Sequence, residues 1–291
     1  MSSRKIENDL LYANIEKGVS HYFLGLVLFY VFDTHSSSNP VIQSSMGVSV
    51  LFQDEESMRC FYCGNIGAEN TFAELPEREE RHLFNTLRGR TGDTVQLIDG
   101  HGVLASARVV DGKKLLVLEK EQYQEPPRKL HLFVSPPRQN RMDQLLTQCC
   151  EIGVWSITLV VAEHSVVRPE EGEVSDKWKV HLVEGSKQSK NPFMPELRGV
   201  INFNGILDDV KEMGIPAFYG STGGSGTGNP VPESVPGIAW VVGPEGGFSA
   251  SEEERMGSSG FIPLKIGKWI MRVETAAVAG AVLLMNCGGK C

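Results

Sequence analysis

From Leu130 onward, apolar runs of strand length alternate with stretches of helical spacing, and this alternation constrains the fold more than any other feature. Leu130–Val134 and Ser156–Val161 are short and almost continuously apolar, as strands buried on both faces must be. Met142–Ile152 is helical in pattern and stops at Gly153, and Ser175–Lys187 supplies the next helix. Strand, helix, strand at these intervals predicts crossover connections and a parallel α/β sheet. A flexible segment, Gly220–Gly228, and three further prolines precede Gly237, after which Ile238–Val242 resumes the strand pattern. No internal repeat is evident.

The region before Leu130 reads differently. Thr94–Ile98 and Val103–Val110 flank Asp99-Gly-His-Gly102, a hairpin signal, and Lys114–Leu118 adds a further strand. Glu79–Leu87 predicts a short helix ahead of Gly89. Glu125-Pro-Pro127 ends this β-rich stretch, because proline continues neither a helix nor a central strand. At about 150 residues per domain, 291 residues suit two domains. We place them at 58–125 and 128–287, with Met58 opening the folded part.

Upstream, Tyr22–Phe32 is eleven apolar residues long, short of the roughly 20 a membrane-spanning helix needs. No small-x-small cleavage site follows, and Glu7, Asp9 and Glu16 precede it, which speaks against a secretory signal. The same acids disfavour an organellar transit peptide, so residues 1–57 are expected to be a poorly ordered extension of a cytoplasmic protein with no membrane partner. A formal charge of −8 argues against a non-specific nucleic-acid coat while leaving room for a local basic groove. The cysteines at 60, 63, 149, 150, 287 and 291 include one lone C-x-x-C and an adjacent pair too close for a relaxed disulfide. They read as reduced thiols, and no metal site is expected.

The chemistry concentrates near the C-terminus. Val241-Val-Gly-Pro-Glu-Gly-Gly-Phe-Ser249 is a strand entering a glycine-rich turn, and Ser251 with Glu254 matches a capping box for the helix that follows. Glycines 243, 246 and 247 allow positive φ or close approach of a ligand. The turn is neither a Walker A loop nor a G-x-G-x-x-G dinucleotide loop, leaving a ligand loop or a tight structural turn. Leu264-Lys-Ile-Gly-Lys-Trp-Ile-Met-Arg272 then leads into Val273–Met285, an apolar, small-residue helix that should be buried and that Thr275 could help cap. Arg272 and Glu274 beside such a helix suit either a simple ion pair or a functional site.

Together, Gly243-Pro-Glu-Gly-Gly-Phe-Ser249 and Ile266-Gly-Lys-Trp-Ile-Met-Arg-Val-Glu-Thr-Ala276 closely resemble the signature of the ribosomal RNA small subunit methyltransferase E family. The resemblance extends over about residues 58–285, through His82-Leu … Leu87-Arg88, Gly92-Asp93, Asp99-Gly100, Arg141-Met-Asp, Glu151–Val154, Lys187-Gln-Ser189 and Pro195-Glu196. It implies an α/β fold of the SPOUT class, a trefoil-knotted parallel sheet preceded by a PUA-like β-barrel. It also implies a homodimer that methylates N3 of a uridine in 16S ribosomal RNA, free or in an assembled 30S-type subunit, with S-adenosylmethionine as cofactor.

By the same resemblance the cofactor would contact Tyr219, Gly220, Gly243, Glu245, Gly247, Leu264, Ile266, Gly267, Ile270, Met271, Arg272 and Thr275. Backbone groups of the glycine turn and of 266–271 suit an adenine edge and a ribose. For catalysis, Arg272 would steady a developing uracil anion or a phosphate, and Glu245 or Glu274 would help remove the N3 proton. Arg59, His82, Arg88, Arg138, Arg141, Lys187 and Gln188 are the expected RNA contacts, positioning phosphates rather than reading bases.

Three positions depart from the family pattern: Gln148, His164 and Asn191 stand where basic residues are usual. Residues 1–57 and Cys287–Cys291 match nothing in it. Two other readings therefore stand beside the first: a SPOUT methyltransferase with a different RNA target, and a non-catalytic RNA-binding assembly factor of the same fold.

Overall fold

The computed structural model describes residues 58–111, 113–223, 231–232 and 234–286. The extension at 1–57, most of the glycine-rich loop and Cys287–Cys291 lie outside them. The β-rich stretch forms one sheet in the order β1-β3-β4-β5-β2, from β1 (Cys60–Tyr62), β2 (Phe72–Ala73), β3 (Thr94–Ile98), β4 (Val103–Val110) and β5 (Lys114–Gln122). Alternate residues of β4 are buried (Val103, Ala105, Ala107, Val109), the period expected of a strand with one face on a core. That core gathers Phe61, Leu83, Val95, Leu97, Leu115 and Val117. The expected helix is α1 (Glu77–Arg81), which loosens into a π-helical turn at His82–Thr86.

The β3–β4 hairpin forms as expected. Asp99 Oδ1 accepts from the His101 and Val103 amides at 2.7 and 2.9 Å, and Gly100 and Gly102 take positive φ. Its tip docks on the second sheet's side: Gly102 N donates to Pro192 O and Met194 N to Gly100 O.

The second sheet has six strands in the order β11-β9-β10-β6-β7-β8, every neighbouring pair parallel. They are β6 (Lys129–Val134), β7 (Ser156–Val161), β8 (Glu196–Asn202), β9 (Ala217–Gly220), β10 (Gly237–Val242) and β11 (Ile262–Leu264). Leu132 and Trp240 enter one core while Phe133 and Val241 enter the other, so both faces are apolar and both must be covered. Helices α2 (Gln139–Glu151), α3 (Asp176–Ser189) and α6 (Val273–Asn286) supply the first layer; α4 (Phe203–Met213) and α5 (Ala250–Ser258) supply the second.

The strand–helix alternation thus yields the parallel α/β sheet it predicts. β8 carries no clear strand pattern in the sequence, because Arg198 interrupts its apolar run at a bulge opposite Ile157/Thr158, where Gly199 takes φ +94°. The capping box lies two residues earlier than expected: the Ser249 hydroxyl accepts from Glu252 N, and Glu252 Oε2 accepts from Ser249 N at 2.9 Å. Ser249 wins because the glycine turn leaves it extended, at φ −70° and ψ 158°, whereas Ser251 already lies inside α5. In α6, Thr275 is the third helical residue and exposed, so it is not the cap. Nor is the helix wholly buried: Ala277, Gly280, Ala281 and Leu284 face the core, while Val282 and Leu283 are about two-fifths exposed.

Candidate functional site

A cleft of about 390 Å³ opens where β9, β10 and β11 end, lined by Gly220–Thr222, Val242–Phe248 and Leu264–Gly267 together with Trp269, Ile270 and Met271. Open parallel sheets bind ligands just beyond the carboxyl ends of their strands, and the volume suits a nucleoside-sized molecule.

One wall is the glycine-rich turn, and its shape is held from behind. Gly247 takes φ +73° and closes the turn on Pro244 O at 2.8 Å. A Cβ at Gly243 would stand 2.9 Å from the Phe248 ring, which meets Phe203 and Tyr219 edge-on. His164 lies against Gly246, with Nδ1 3.1 Å from Gly247 O. The buried Glu252 carboxylate accepts from the Glu163 amide at 2.9 Å as well as from Ser249. The segment is therefore a tight turn braced from behind, and it is also a wall of the cleft.

The facing wall is nearly bare of internal hydrogen bonds. Among the described residues, no amide from Ile266 to Met271 donates to another backbone group. Unpaired backbone groups beside Leu264, Ile266 and Met271 suit a flat heteroaromatic ring with polar edges, such as adenine. The residues present thus fit an adenosine-type cofactor.

Of the expected cofactor contacts, Gly220, Gly243, Glu245, Gly247, Leu264, Ile266, Gly267, Ile270 and Met271 line the cleft. Tyr219 does not; it is buried in β9 against Phe248, where burial and then the Glu253 carboxylate push its phenol upward. Arg272 and Thr275 are exposed and stand off the cleft wall. Ser221, Thr222, Phe248 and Glu253 line it as well, outside the expected contacts, and so does Trp269, which lies within the segment 266–271 expected to form this wall. Only Trp269 carried a signal, as an aromatic residue inside a basic segment.

The three expected catalytic residues separate. Glu245 is exposed on the cleft wall, whereas Glu274 is buried in the first turn of α6. Arg272 is exposed, and Glu274 pairs instead with Arg141 of α2, Oε1 to Nε at 3.6 Å. Its Oε2 is buried without a hydrogen bond among the described residues. Glu274 is thus not among the residues lining the cleft, because the inward face of α6 carries it toward α2.

Arg59, His82, Lys187 and Gln188 meet along a second groove of about 320 Å³, between the first sheet and α3. Arg59 and Gln188 are exposed, and the exposed His82 leans on Phe61 with ring centroids 6.1 Å apart. Lys187 departs from expectation. Its side chain is 8% exposed, and its ammonium lies 3.0 Å from Glu79 and 3.2 Å from Glu184, so it ties α1 to α3 and offers little to a phosphate. Arg88, at φ +55°, and Arg138, preceding α2, are exposed outside this groove, and Arg141 is committed to Glu274.

The three departures from basic residues also acquire places. Asn191 donates to Cys150 O and accepts from Phe193 N, both at 2.9 Å, so it is part of the framework. His164 backs the glycine turn, and Gln148 is half-buried on α2. Cys60, Cys63, Cys149 and Cys150 are free thiols.

This geometry agrees with what the chain resembles. Residues 124–285 match the family described as RNA methyltransferase domain. Ribosomal RNA small subunit methyltransferase E of Aquifex aeolicus is 27% identical over 173 residues, spanning 58% of this chain and 74% of the relative. The Synechocystis protein of the same name is 24% identical over 212 residues, 69% of each chain. Among solved structures, ribosomal RNA small subunit methyltransferase E from Neisseria gonorrhoeae, bound to S-adenosyl methionine, superposes with a TM-score of 0.70 at 26% identity, covering 78% of this chain and 97% of that one. A probable rRNA-methyltransferase from Porphyromonas gingivalis gives 0.66 at 25% identity, covering 79% and 98%. With the match spanning more than half its length, the chain belongs to the RNA methyltransferase domain family, and its curated relatives are ribosomal RNA small subunit methyltransferases E.

Proposed function

We propose that this protein transfers a methyl group from S-adenosylmethionine to N3 of a uridine in 16S ribosomal RNA. The observation that carries the reading is the cleft itself: a preformed glycine turn facing unpaired backbone groups, at the ends of parallel strands, in a chain of this family. S-adenosylmethionine supplies a methyl group already activated by its sulfonium. The protein's part is therefore proximity, orientation and charge. Gly243–Gly247 and Leu264–Met271 hold the cofactor, and Glu245, the exposed carboxylate on the cleft wall, receives the N3 proton. Arg272, exposed beside the cleft, steadies the uracil anion or a phosphate. Glu274 fixes the start of α6 through Arg141.

Three finer features belong to the same reading. First, the chain is knotted: after the edge strand β11 it returns to α6, which packs over β10 and β6 near the sheet centre. Second, 58–125 and 128–287 are separate domains, the first a PUA-like barrel bearing Arg59, His82, Arg88 and the groove toward Gln188 for RNA; their distinct hydrophobic cores support the division. Third, the protein is a cytoplasmic homodimer. The exposed Val282 and Leu283 of α6 supply an apolar surface for the second copy, and no helix among the described residues is long and apolar enough to cross a membrane.

Calorimetric titration of S-adenosylmethionine into the full chain tests the reading, followed by mass spectrometry of unmethylated small-subunit RNA incubated with both. One site per chain, lost in Gly247→Arg, and one added methyl on uridine N3 are expected. A folded chain that neither binds the cofactor with RNA present nor modifies the RNA would overturn the reading in favour of a non-catalytic assembly factor.

A further inference from the structure

We propose that Trp269 is the platform on which a base of the RNA substrate stacks as it enters the cofactor cleft, with Lys265 and Lys268 holding the flanking phosphates; the inference rests on the RNA methyltransferase reading above. Trp269 is 76% exposed and Ile270 is 88% exposed, yet both line the mouth of the cleft. A large aromatic residue left in water costs hydrophobic free energy that packing among the described residues does not recover. In a chain with a formal charge of −8, the segment 265–272 carries Lys265, Lys268 and Arg272 and no acid. All three cations are exposed, and none forms an ion pair with a described residue. Lys268 Nζ lies 5.0 Å from the Trp269 ring centroid.

An exposed aromatic face interleaved with unpaired cations is how proteins hold single-stranded nucleic acid. The ring stacks with any base, and the cations track the phosphates. A second copy of the chain fits the same surface less well. A two-fold contact centred here would set Lys265, Lys268 and Arg272 against their own counterparts, whereas Val282 and Leu283 on α6 offer an uncharged face. Trp269 also lines the same cleft as Glu245, the carboxylate to which the proposed function gives the N3 proton.

The test is binding of a single-stranded oligouridylate to the full chain, read by tryptophan fluorescence and by anisotropy of a labelled oligonucleotide. Of the four tryptophans, Trp240 is fully buried and Trp155 and Trp178 are half-buried, so Trp269 should dominate any quenching. Trp269→Ala should weaken binding by roughly 5- to 150-fold, the worth of one stacked base. Trp269→Phe should keep most of the affinity but lose the quenching. Lys265→Ala and Lys268→Ala should each reduce the slope of log affinity against log salt by about 0.7.

Unchanged affinity in Trp269→Ala, with oligouridylate bound normally by the parent protein, would overturn the inference and leave the enzymatic reading standing. So would a Trp269→Ala chain that changes oligomeric state but not affinity, which would make position 269 an interface between copies. If the parent protein bound neither oligouridylate nor small-subunit RNA, the functional reading itself would fail.

Discussion

Replacing Lys187 with methionine removes one charge from a pair that joins the protein's two sheets. The Glu79 side chain, only 4% exposed, is left with one donor among the described residues, the Tyr62 amide at 3.3 Å. Breaking a buried pair from one side costs about 3–5 kcal/mol, because the desolvated partner stays behind uncompensated. Glu79→Gln should cost less, about 1.5–3 kcal/mol, because Lys187 retains the half-exposed Glu184 at 3.2 Å. Combining Glu79→Leu with Lys187→Met should restore stability to near the parent level, since an apolar pair of similar volume carries no desolvation penalty. Urea unfolding followed by circular dichroism gives all three values from shifts in midpoint at constant slope. The reasoning fails if Lys187→Met unfolds within about 0.5 kcal/mol of the parent, the range of ordinary surface substitutions. It fails equally if that variant keeps its stability but loses affinity for small-subunit RNA, which would return Lys187 to the phosphate contacts.

Two further outcomes are expected. Gly280→Ala would place a methyl 2.7 Å from Trp240 Nε1 and nearer still to the ring carbons, with the indole fully buried. Overpacking of about 1–3 kcal/mol should outweigh the gain of about 1 kcal/mol in helix propensity, and weaker cofactor binding should accompany the lower unfolding midpoint as α6 is pushed outward. Among the thiols, burial pushes Cys60 up to about 12 against the pull of Lys187, pushes Cys150 up to about 11, and raises Cys149 too. A chain with Cys287→Ser and Cys291→Ser should therefore label slowly at neutral pH until it unfolds. Because the fold favours the neutral thiols, their contribution to stability is complete below the unfolded value of 9.0 and is lost as pH rises through about 11 and 12.

Local pattern was sufficient wherever a run of residues answers to one neighbour. The apolar runs at 130–134, 156–161 and 238–242 could only be strands covered on both faces, and they are. The glycine turn and the segment after Leu264 stand out in the sequence because their spacing is a property of the chain alone, and both line one cleft. Partners were not legible. Arg272 and Glu274 are two residues apart, yet Glu274 meets Arg141, because the turn entering α6 sends one side chain inward and leaves the other in water. Lys187 reads as an RNA contact in sequence and becomes a tie between sheets, since Glu79, 108 residues away, reaches it only when α1 docks on α3.

The sequence by itself therefore determined the class of fold, the segments that line the cleft and the family. Those follow from periodicity and from glycines at required spacings, which are local. The tertiary structure decided which charges are free and which are bound to each other. Burial and pairing depend on what the rest of the chain brings alongside. The same carboxylate can receive a proton at a cleft mouth, as Glu245 could, or hold a helix in place, as Glu274 does.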